Sequence, residues 1–411
     1  MIDAKFLIGK NRNKEIVEQS SSGGIISLVA EWVLKQGGIV FGATINLESM
    51  EIFHIKVQSV DDLFKIRKSK YVWSNHTKCF RELKENLELD KFVLFVGTPC
   101  QAYAVKKGFS NYEKLIVLDF YCHGTLKFDY FFEYIKSLNA SISSIDFRDD
   151  SNDGTHNFVF SVTNSLNEKI VNDEYIDNPL TFLFVSSAGL RKACFSCPFS
   201  TKKHFSNITV GDVEFNEMAQ RHGFKNKKHL SIISVNDDVG AHVFKNIKKE
   251  LDYACLDEMD EKQINFYYRA HNDSGKLWEY NVELQKWFEK AVDSYGFIEA
   301  AYMCMYSQDV QFLLSITHDV ERKKIYLYGC GKRGKILKRL IDKYHKSWNV
   351  CGFIVTKKNE DFVDGLPLYQ IKEINEDKDK VFIIVAVTEK YREEIYSILR
   401  KYGFQEGVHF R

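Results

Sequence analysis

The sequence predicts a mixed α/β protein whose core carries a β-rich insertion and is followed by a separate C-terminal domain. Three observations predict it. Helical and strand patterns alternate over the first 140 or so residues, which is how α/β units with a largely parallel sheet are written. From about Ile145 to Val235 the pattern changes to short alternating strands broken by Asn, Asp and Gly. From Lys323 to Arg411 a βαβ pattern starts afresh, with a Gly-rich turn between its first strand and helix.

Each element has its own signal. Gly23 to Gln36 has helical spacing (Ile25, Ile26, Leu28, Val29, Trp32, Val33), and Gly37-Gly38 stops it before the apolar run Ile39 to Ile45. Phe92 to Val96 is an apolar run of strand length that leads into Gly97-Thr98-Pro99-Cys100 and a helical stretch from Gln101 to Lys107. Leu115 to Tyr121 repeats the arrangement, running into Cys122-His123-Gly124 before the helical Tyr130 to Leu138. Residues 236 to 320 are mainly helical by spacing, a surface layer or connector. The C-terminal pattern has strands at Ile325 to Tyr328, Val350 to Val355 and Val381 to Val387. The expected division is therefore a core over 1–320, with the β-rich part at about 145–235 and the connector at about 236–320, and a Rossmann-like domain over 321–411.

Composition narrows the function classes. At 411 residues the chain exceeds what one core organises, and 45% apolar with 14% aromatic residues excludes a disordered chain. Lys+Arg 57 against Asp+Glu 56 leaves a net charge of +1, so no one-signed field draws in nucleic acid or an anionic membrane. No leader pattern opens the chain and no apolar run approaches a membrane span. The expectation is a cytoplasmic protein with a small-molecule or protein partner. Cytosolic thiols stay reduced, so its nine cysteines read as buried hydrophobes, metal ligands or redox groups.

Four of these cysteines stand out. Cys100 and Cys122 follow consecutive strands, and loops after neighbouring parallel strands open on one edge of a sheet. Cys194 and Cys197 form a CxxC turn followed by Pro198. Four soft ligands suit either a tetrahedral zinc or an iron–sulfur cluster, and the residues alone leave open a zinc knuckle on Cys194 and Cys197 with the other two merely buried. Cys79, Cys255, Cys304, Cys330 and Cys351 read as small buried hydrophobes.

These segments resemble, in order and wording, the coenzyme F420 hydrogenase/dehydrogenase beta-subunit family, including homologues from bacterial surface-polysaccharide gene clusters. The stretches that carry the resemblance are Ser20-Ser21-Ser22-Gly23-Gly24-Ile25, Gly37 to Ala43, Ser69-Lys70-Tyr71-Val72, Gly97-Thr98-Pro99-Cys100-Gln101 and Asp119 to Gly124. Downstream lie Phe147-Arg148-Asp149, Leu190-Arg191, Cys194 to Phe199, and Ile208-Thr209-Val210-Gly211-Asp212. The resemblance implies a mixed α/β flavin and iron–sulfur core, in which Cys100, Cys122, Cys194 and Cys197 ligate one 4Fe-4S cluster beside FAD. Two departures qualify it. Val213-Glu214-Phe215 stands where relatives carry Phe-Trp-Gly, and the sequence opens at the core where many relatives have a ferredoxin-like segment, so electrons would come from an external donor such as ferredoxin or from a reduced cofactor.

The residues give that flavin site a physical account. Ser21, Ser22, Gly23 and Gly24 open a helix whose N–H groups suit a pyrophosphate, unless they are an ordinary cap and turn. Lys70 offers a cation, Tyr71 an aromatic wall, and Thr98 stands beside the first cysteine. His123 reads as a proton donor or a hydrogen bond to the cluster surroundings, and Asp212 as an acid or a turn residue. In the C-terminal domain Gly329, Gly331 and Gly334 form a GxGxxG after a strand, suited to a phosphate. The second strand there lacks the acid that holds a ribose. Lys332, Arg333, Lys357 and Lys358 favour a phosphorylated or nucleotide-sugar ligand, or the domain serves assembly alone. The leading function is a reductase or dehydrogenase of a sugar or nucleotide sugar; the alternatives are a zinc-stabilised scaffold and an electron-transfer subunit.

Overall fold

A computed structural model of the chain describes residues 6–149, 159–175, 177–199, 204–269, 275–320, 322–387 and 389–411. Along the chain the first strands are β1 (Phe6–Asn11), β2 (Ile39–Asn46), β3 (Glu51–Val57), β4 (Val93–Val96) and β5 (Leu115–Phe120). Next come β6 (Ile142–Asp149), β7 (Val159–Asn164), β8 (Lys169–Glu174), β9 (Ile208–Asp212), β10 (Ser231–Val235) and β11 (Leu251–Cys255). The last are β12 (Lys324–Tyr328), β13 (Asn349–Ile354), β14 (Phe362–Val363), β15 (Leu366–Tyr369) and β16 (Val381–Val385). The chain divides into two compact units, Met1–Met305 and Tyr306–Arg411.

The first unit is built on an eight-stranded sheet of order β11-β1-β10-β9-β5-β4-β2-β3. Its centre is parallel, with β2 beside β4, β4 beside β5, and β5 beside β9. The apolar runs of β4 and β5 are continuous because both faces are covered. In β4, Leu94 and Val96 face the helices Ile25–Lys35 and Asp238–Ile247, while Val93 and Phe95 face Phe80–Glu88 and Pro99–Gly108. The strand's period of two assigns these alternate residues to opposite layers.

The segment expected as a β-rich insertion divides in a way that periodicity does not reveal. β6, β7 and β8 form a separate three-stranded antiparallel sheet, whereas β9 and β10 belong to the main sheet. The small sheet packs Phe147, Phe160 and Val162 against Tyr130, Phe131 and Tyr134 of helix Phe128–Ser137, and against Phe288, Phe297 and Ala300. The 236–320 segment is likewise not all helix, since β11 adds an edge strand beside β1.

The second unit holds the five-stranded sheet β14-β15-β13-β12-β16. β12 pairs in parallel with β13 and β16, and β13 with β15. Its division from the first unit falls at 305/306, ahead of the expected 320/321. The reason is packing: Leu313, Ile316 and Val320 are buried with Ile325, Leu327 and Phe353 in this unit's core.

Candidate functional site

The parallel centre of the main sheet positions the site, because β4, β5 and β9 all end on one edge. After β4, Thr98 caps helix Pro99–Gly108 through a reciprocal capping box with Gln101. Cys100 lies in the first turn of this helix, and Thr98 Oγ1 stands 3.1 Å from its Sγ. Gln101 Nε2 donates to the Ser74 carbonyl at 2.8 Å, fixing the turn to the Lys70–Asn75 stretch. After β5 come Tyr121, Cys122, His123 and Gly124. Gly124 has φ +136, and a Cβ there would lie 2.6 Å from Leu190 Cδ1, so the loop needs glycine for both conformation and space.

The CxxC segment is delivered by pairing rather than by its own fold. Leu126 bridges Val72 in parallel and Leu190 in antiparallel sense. Arg191 N–H donates to the Thr125 carbonyl at 3.0 Å, and Leu126 N–H to the Tyr71 carbonyl at 2.8 Å. This ribbon laces the Ser69–Val72, Cys122–Gly124 and Leu190–Cys197 stretches together. Arg191 also lies over the Trp73 ring at 4.8 Å. Beyond Cys197, Phe199 packs on Tyr103, a residue of the helix that carries Cys100.

The result is one cavity of about 530 Å³ lined by Cys100, Cys122, Cys194 and Cys197. Burial pushes the Cys122 thiol up, and Cys194, Cys100 and Cys197 push it further in the same direction. Among the described residues, no three His, Cys, Asp or Glu side chains are gathered tightly enough to hold a single ion. A four-iron cluster asks for something else, since each cysteine binds a different iron and the thiols need only surround it. Four thiols lining one cavity are a donor set that fits a cluster. Cys79 and Cys304 are buried, as expected of small hydrophobes, but Cys255 is exposed on the edge strand and Cys330 and Cys351 are half-buried.

Most other residues singled out from the sequence line the same cavity: Ser21, Ser22, Gly24, Lys70, Tyr71, Thr98, His123 and Asp212. Gly23 does not, and its N–H is engaged, donating to Ser231 Oγ at 2.9 Å. The serines are tied as well. Ser22 Oγ donates to the Leu230 carbonyl at 2.6 Å, and Ser21 Oγ accepts from Ser69 N–H at 2.8 Å. The helix starts after them, and its first residues Ile25, Ile26 and Ser27 line the cavity as well.

Charge around the cavity is uneven. Arg67, Lys68, Lys70, Arg148 and Arg191 line it against Asp212 and Glu214. Burial lowers the Lys70 ammonium from 10.5 to about 7, with Asp146 partly opposing. Its Nζ donates to the Lys68 carbonyl at 3.1 Å and to the Arg67 carbonyl. Asp212 closes β9 with an ion pair to Arg148 at 2.7 Å, a partner that neither the acid nor the turn reading foresaw. Burial opposes the charge on Arg148, and Asp212 together with Tyr71 and Tyr175 outweighs it, leaving the guanidinium above its ordinary range. His123 Nε2 lies 3.0 Å from the Phe184 carbonyl and 3.2 Å from Ser187 Oγ, bonds that orient the ring. In the departing Val213-Glu214-Phe215, Val213 and Phe215 pack into a core cluster and Glu214 reaches the cavity.

Sequence reasoning missed one group here. Asp119, fully buried, accepts from Ser206 Oγ at 2.7 Å and Thr209 Oγ1 at 2.6 Å, and lies 3.1 Å from His204 Nδ1. His204 lines the cavity. No local pattern around a lone histidine announces this; the buried acid at the end of an apolar strand was the available signal.

In the second unit the Gly329–Gly334 turn joins β12 to helix Lys332–Tyr344. A Cβ on Gly334 would fall 1.9 Å from the Gly329 carbonyl oxygen, so this glycine serves close helix–strand packing. Gly331 caps the helix. Of the expected cations, Arg333 pairs with Asp309 at 2.9 Å and Lys358 with Asp361 at 3.1 Å.

Residues 90–262, which include all four cysteines, match the family defined by the C-terminal part of the coenzyme F420 hydrogenase/dehydrogenase beta subunit. A chain of the F420-reducing NiFe hydrogenase complex from Methanosarcina barkeri, solved as a xenon derivative, is similar at 15% identity. The match covers 70% of this chain and 91% of that one, with a TM-score of 0.45. No curated protein matches. Among the described residues no helix is long and apolar enough to cross a membrane.

Proposed function

Because residues 90–262 of this chain belong to the coenzyme F420 hydrogenase/dehydrogenase beta-subunit family, we propose that it is an iron–sulfur oxidoreductase that holds one 4Fe-4S cluster and FAD in a single cavity. The observation that carries this reading is that four cysteines from three separate stretches of the chain line one cavity. Cys100, Cys122, Cys194 and Cys197 would hold the cluster, which supplies one-electron transfer when bound.

The cationic lining supports an anionic occupant beside it. Arg67, Lys68 and Lys70 stand with the start of helix Ile25–Lys35 around the same space, and a helix N-terminus with nearby cations suits the pyrophosphate of FAD. Tyr71 supplies an aromatic wall packed on Phe184, with ring centroids 4.3 Å apart. The substrate we infer is a sugar or nucleotide sugar of surface-polysaccharide synthesis. Taken by itself, the glycine turn of the second unit would suit a phosphate group. Asp212, paired with Arg148, would orient the substrate side of the cavity, and His123 would position the loop beside Cys122.

Anaerobic reconstitution followed by iron, sulfide and flavin analysis tests the reading. Brown protein with about four irons and four sulfides per chain is expected. Zinc without iron or sulfide would replace this reading with that of a zinc-stabilised scaffold. A second reading, an electron-transfer subunit of a larger complex, is favoured by the exposure of Cys100, the most exposed of the four thiols. It predicts a cluster and flavin but no turnover until a partner subunit or an electron carrier such as ferredoxin is added.

A further inference from the structure

We propose that His204 is the proton-accepting group of this cavity, held by Asp119 so that the nitrogen facing the bound substrate carries no hydrogen. The first support is burial and orientation. The His204 side chain is 7% exposed and that of Asp119 1%, with Nδ1 of the ring 3.1 Å from a carboxylate oxygen. The other carboxylate oxygen accepts from Ser206 and Thr209 hydroxyls. Asn236 Nδ2 in turn donates to Thr209 Oγ1 at 2.9 Å and to Ser206 Oγ at 3.2 Å, which turns both hydroxyl hydrogens toward Asp119. An acceptor saturated in this way takes a hydrogen from Nδ1, so the neutral ring keeps its proton there and Nε2 is a bare lone pair.

The second support is that Nε2 is buried and has no hydrogen-bond partner among the described residues. A buried polar atom without a partner is costly, and here it belongs to a ring that lines the cysteine cavity. Tyr121 packs edge-on against the ring, centroids 5.0 Å apart, and limits its rotation. His204 also lines a smaller cavity of about 380 Å³, with Tyr103, Lys106, Lys107 and Asn236. The ring thus stands between the two cavities.

The partner group is a hydroxyl or N–H of the occupant. For an alcohol, a bound flavin would supply the acceptor for the carbon's hydrogen and its bonding electron pair. The O–H proton goes to Nε2 and the C=O bond forms; reduction runs the same transfers backwards. The proposal rests on that redox reading for the source of the proton, but the tautomer does not depend on it. Asp119 is a positioning residue and His204 the group that touches substrate.

The test is nitrogen NMR of protein labelled at its histidine rings, with the His204 signals assigned by their loss in His204→Gln. The wild type is expected to show a protonated Nδ1 and a bare Nε2. In Asp119→Asn, the amide donates to Nδ1 and the hydrogen moves to Nε2. An Nε2–H ring in the wild type, or a tautomer that ignores Asp119→Asn, overturns the proposal. Added FAD, with binding followed by its fluorescence, is expected to shift the Nε2 resonance, and bound FAD with no shift overturns the claim that Nε2 faces the cavity. If FAD does not bind, the flavin reading fails instead, and the tautomer decides this proposal alone.

Discussion

Replacing Lys70 by Met tests whether the cavity holds an anion. Burial brings the Lys70 ammonium from 10.5 to about 7. With that value about half of the molecules carry the charge at pH 7, and roughly one in a hundred at pH 9. An anion that binds beside charged Lys70 must therefore draw a proton with it at higher pH. Its affinity falls by up to about tenfold per pH unit above 7, until the raised value in the complex is reached. Fluorescence titrations of FAD across this range should show that slope in the wild type and a flat line in Lys70→Met, with a weaker limiting affinity at low pH. Parallel profiles in the two proteins would refute the reasoning. Folding gives an independent check of sign. Between about 7 and 10.5 the unfolded chain binds more protons at this lysine than the folded one, so the wild type gains stability as pH rises through that window. Urea midpoints of Lys70→Met should lack this gain.

Cys122→Ser is expected to strip or degrade the cluster, read as iron and sulfide per chain after anaerobic reconstitution, whereas Cys304→Ser, in an aromatic core, leaves both counts unchanged. Asp212→Ala removes the partner of a guanidinium whose side chain is 10% exposed, while Asp212 itself is 31% exposed. The cost lies between the surface and buried limits, about 2 kcal/mol, and a double-mutant cycle with Arg148→Met should return a coupling of that order from urea midpoints. Gly124→Ala places a Cβ 2.6 Å from Leu190 at φ +136, and the combined clash and strain should cost about 2–4 kcal/mol in the same measurement.

How much of this was legible in the sequence depended on whether a feature was local. Cys100 and Cys122 follow apolar runs, and the rule that parallel strands open their loops on one edge foretold that the two would meet. The ends of β9 and β10 were not legible in the same way. Ile208 and Val210 alternate, while Ile232 and Ile233 are adjacent and buried on opposite faces, and neither pattern says which sheet a strand joins. The boundary at 305/306 was hidden for a similar reason, because an apolar stripe such as Leu313 and Ile316 does not name the core it enters. Arg148 and Asp212 were both within recognised stretches, yet only the fold shows that the small antiparallel sheet carries one to the other. Gly23 N–H donates to Ser231 Oγ, more than two hundred positions away in the chain, a bond that no local pattern reveals.

The way the four thiols are gathered also constrains how they can be disturbed. Cys100 and Cys122 are held by the main sheet, through helix Pro99–Gly108 and through β5, whose buried apolar runs fix them independently of any ligand. Cys194 and Cys197 have a slighter frame. The short helix Lys192–Phe195, which carries Cys194, has no fully buried residue; Cys194 and Phe195 pack on the edge of the aromatic core, and the ribbon of Tyr71, Leu126 and Leu190 holds the segment with the bond from Gln285 Nε2 to the Leu190 carbonyl at 2.9 Å. Opening is least costly where few apolar contacts and backbone bonds must be broken. Loss of the cluster should therefore begin at the Cys194/Cys197 side. Gln285→Ala is expected to speed loss of iron to a chelator without lowering the urea midpoint of the main sheet by more than about 1 kcal/mol. Equal rates of iron loss in Gln285→Ala and the wild type would mean that the CxxC segment is held by something other than this ribbon.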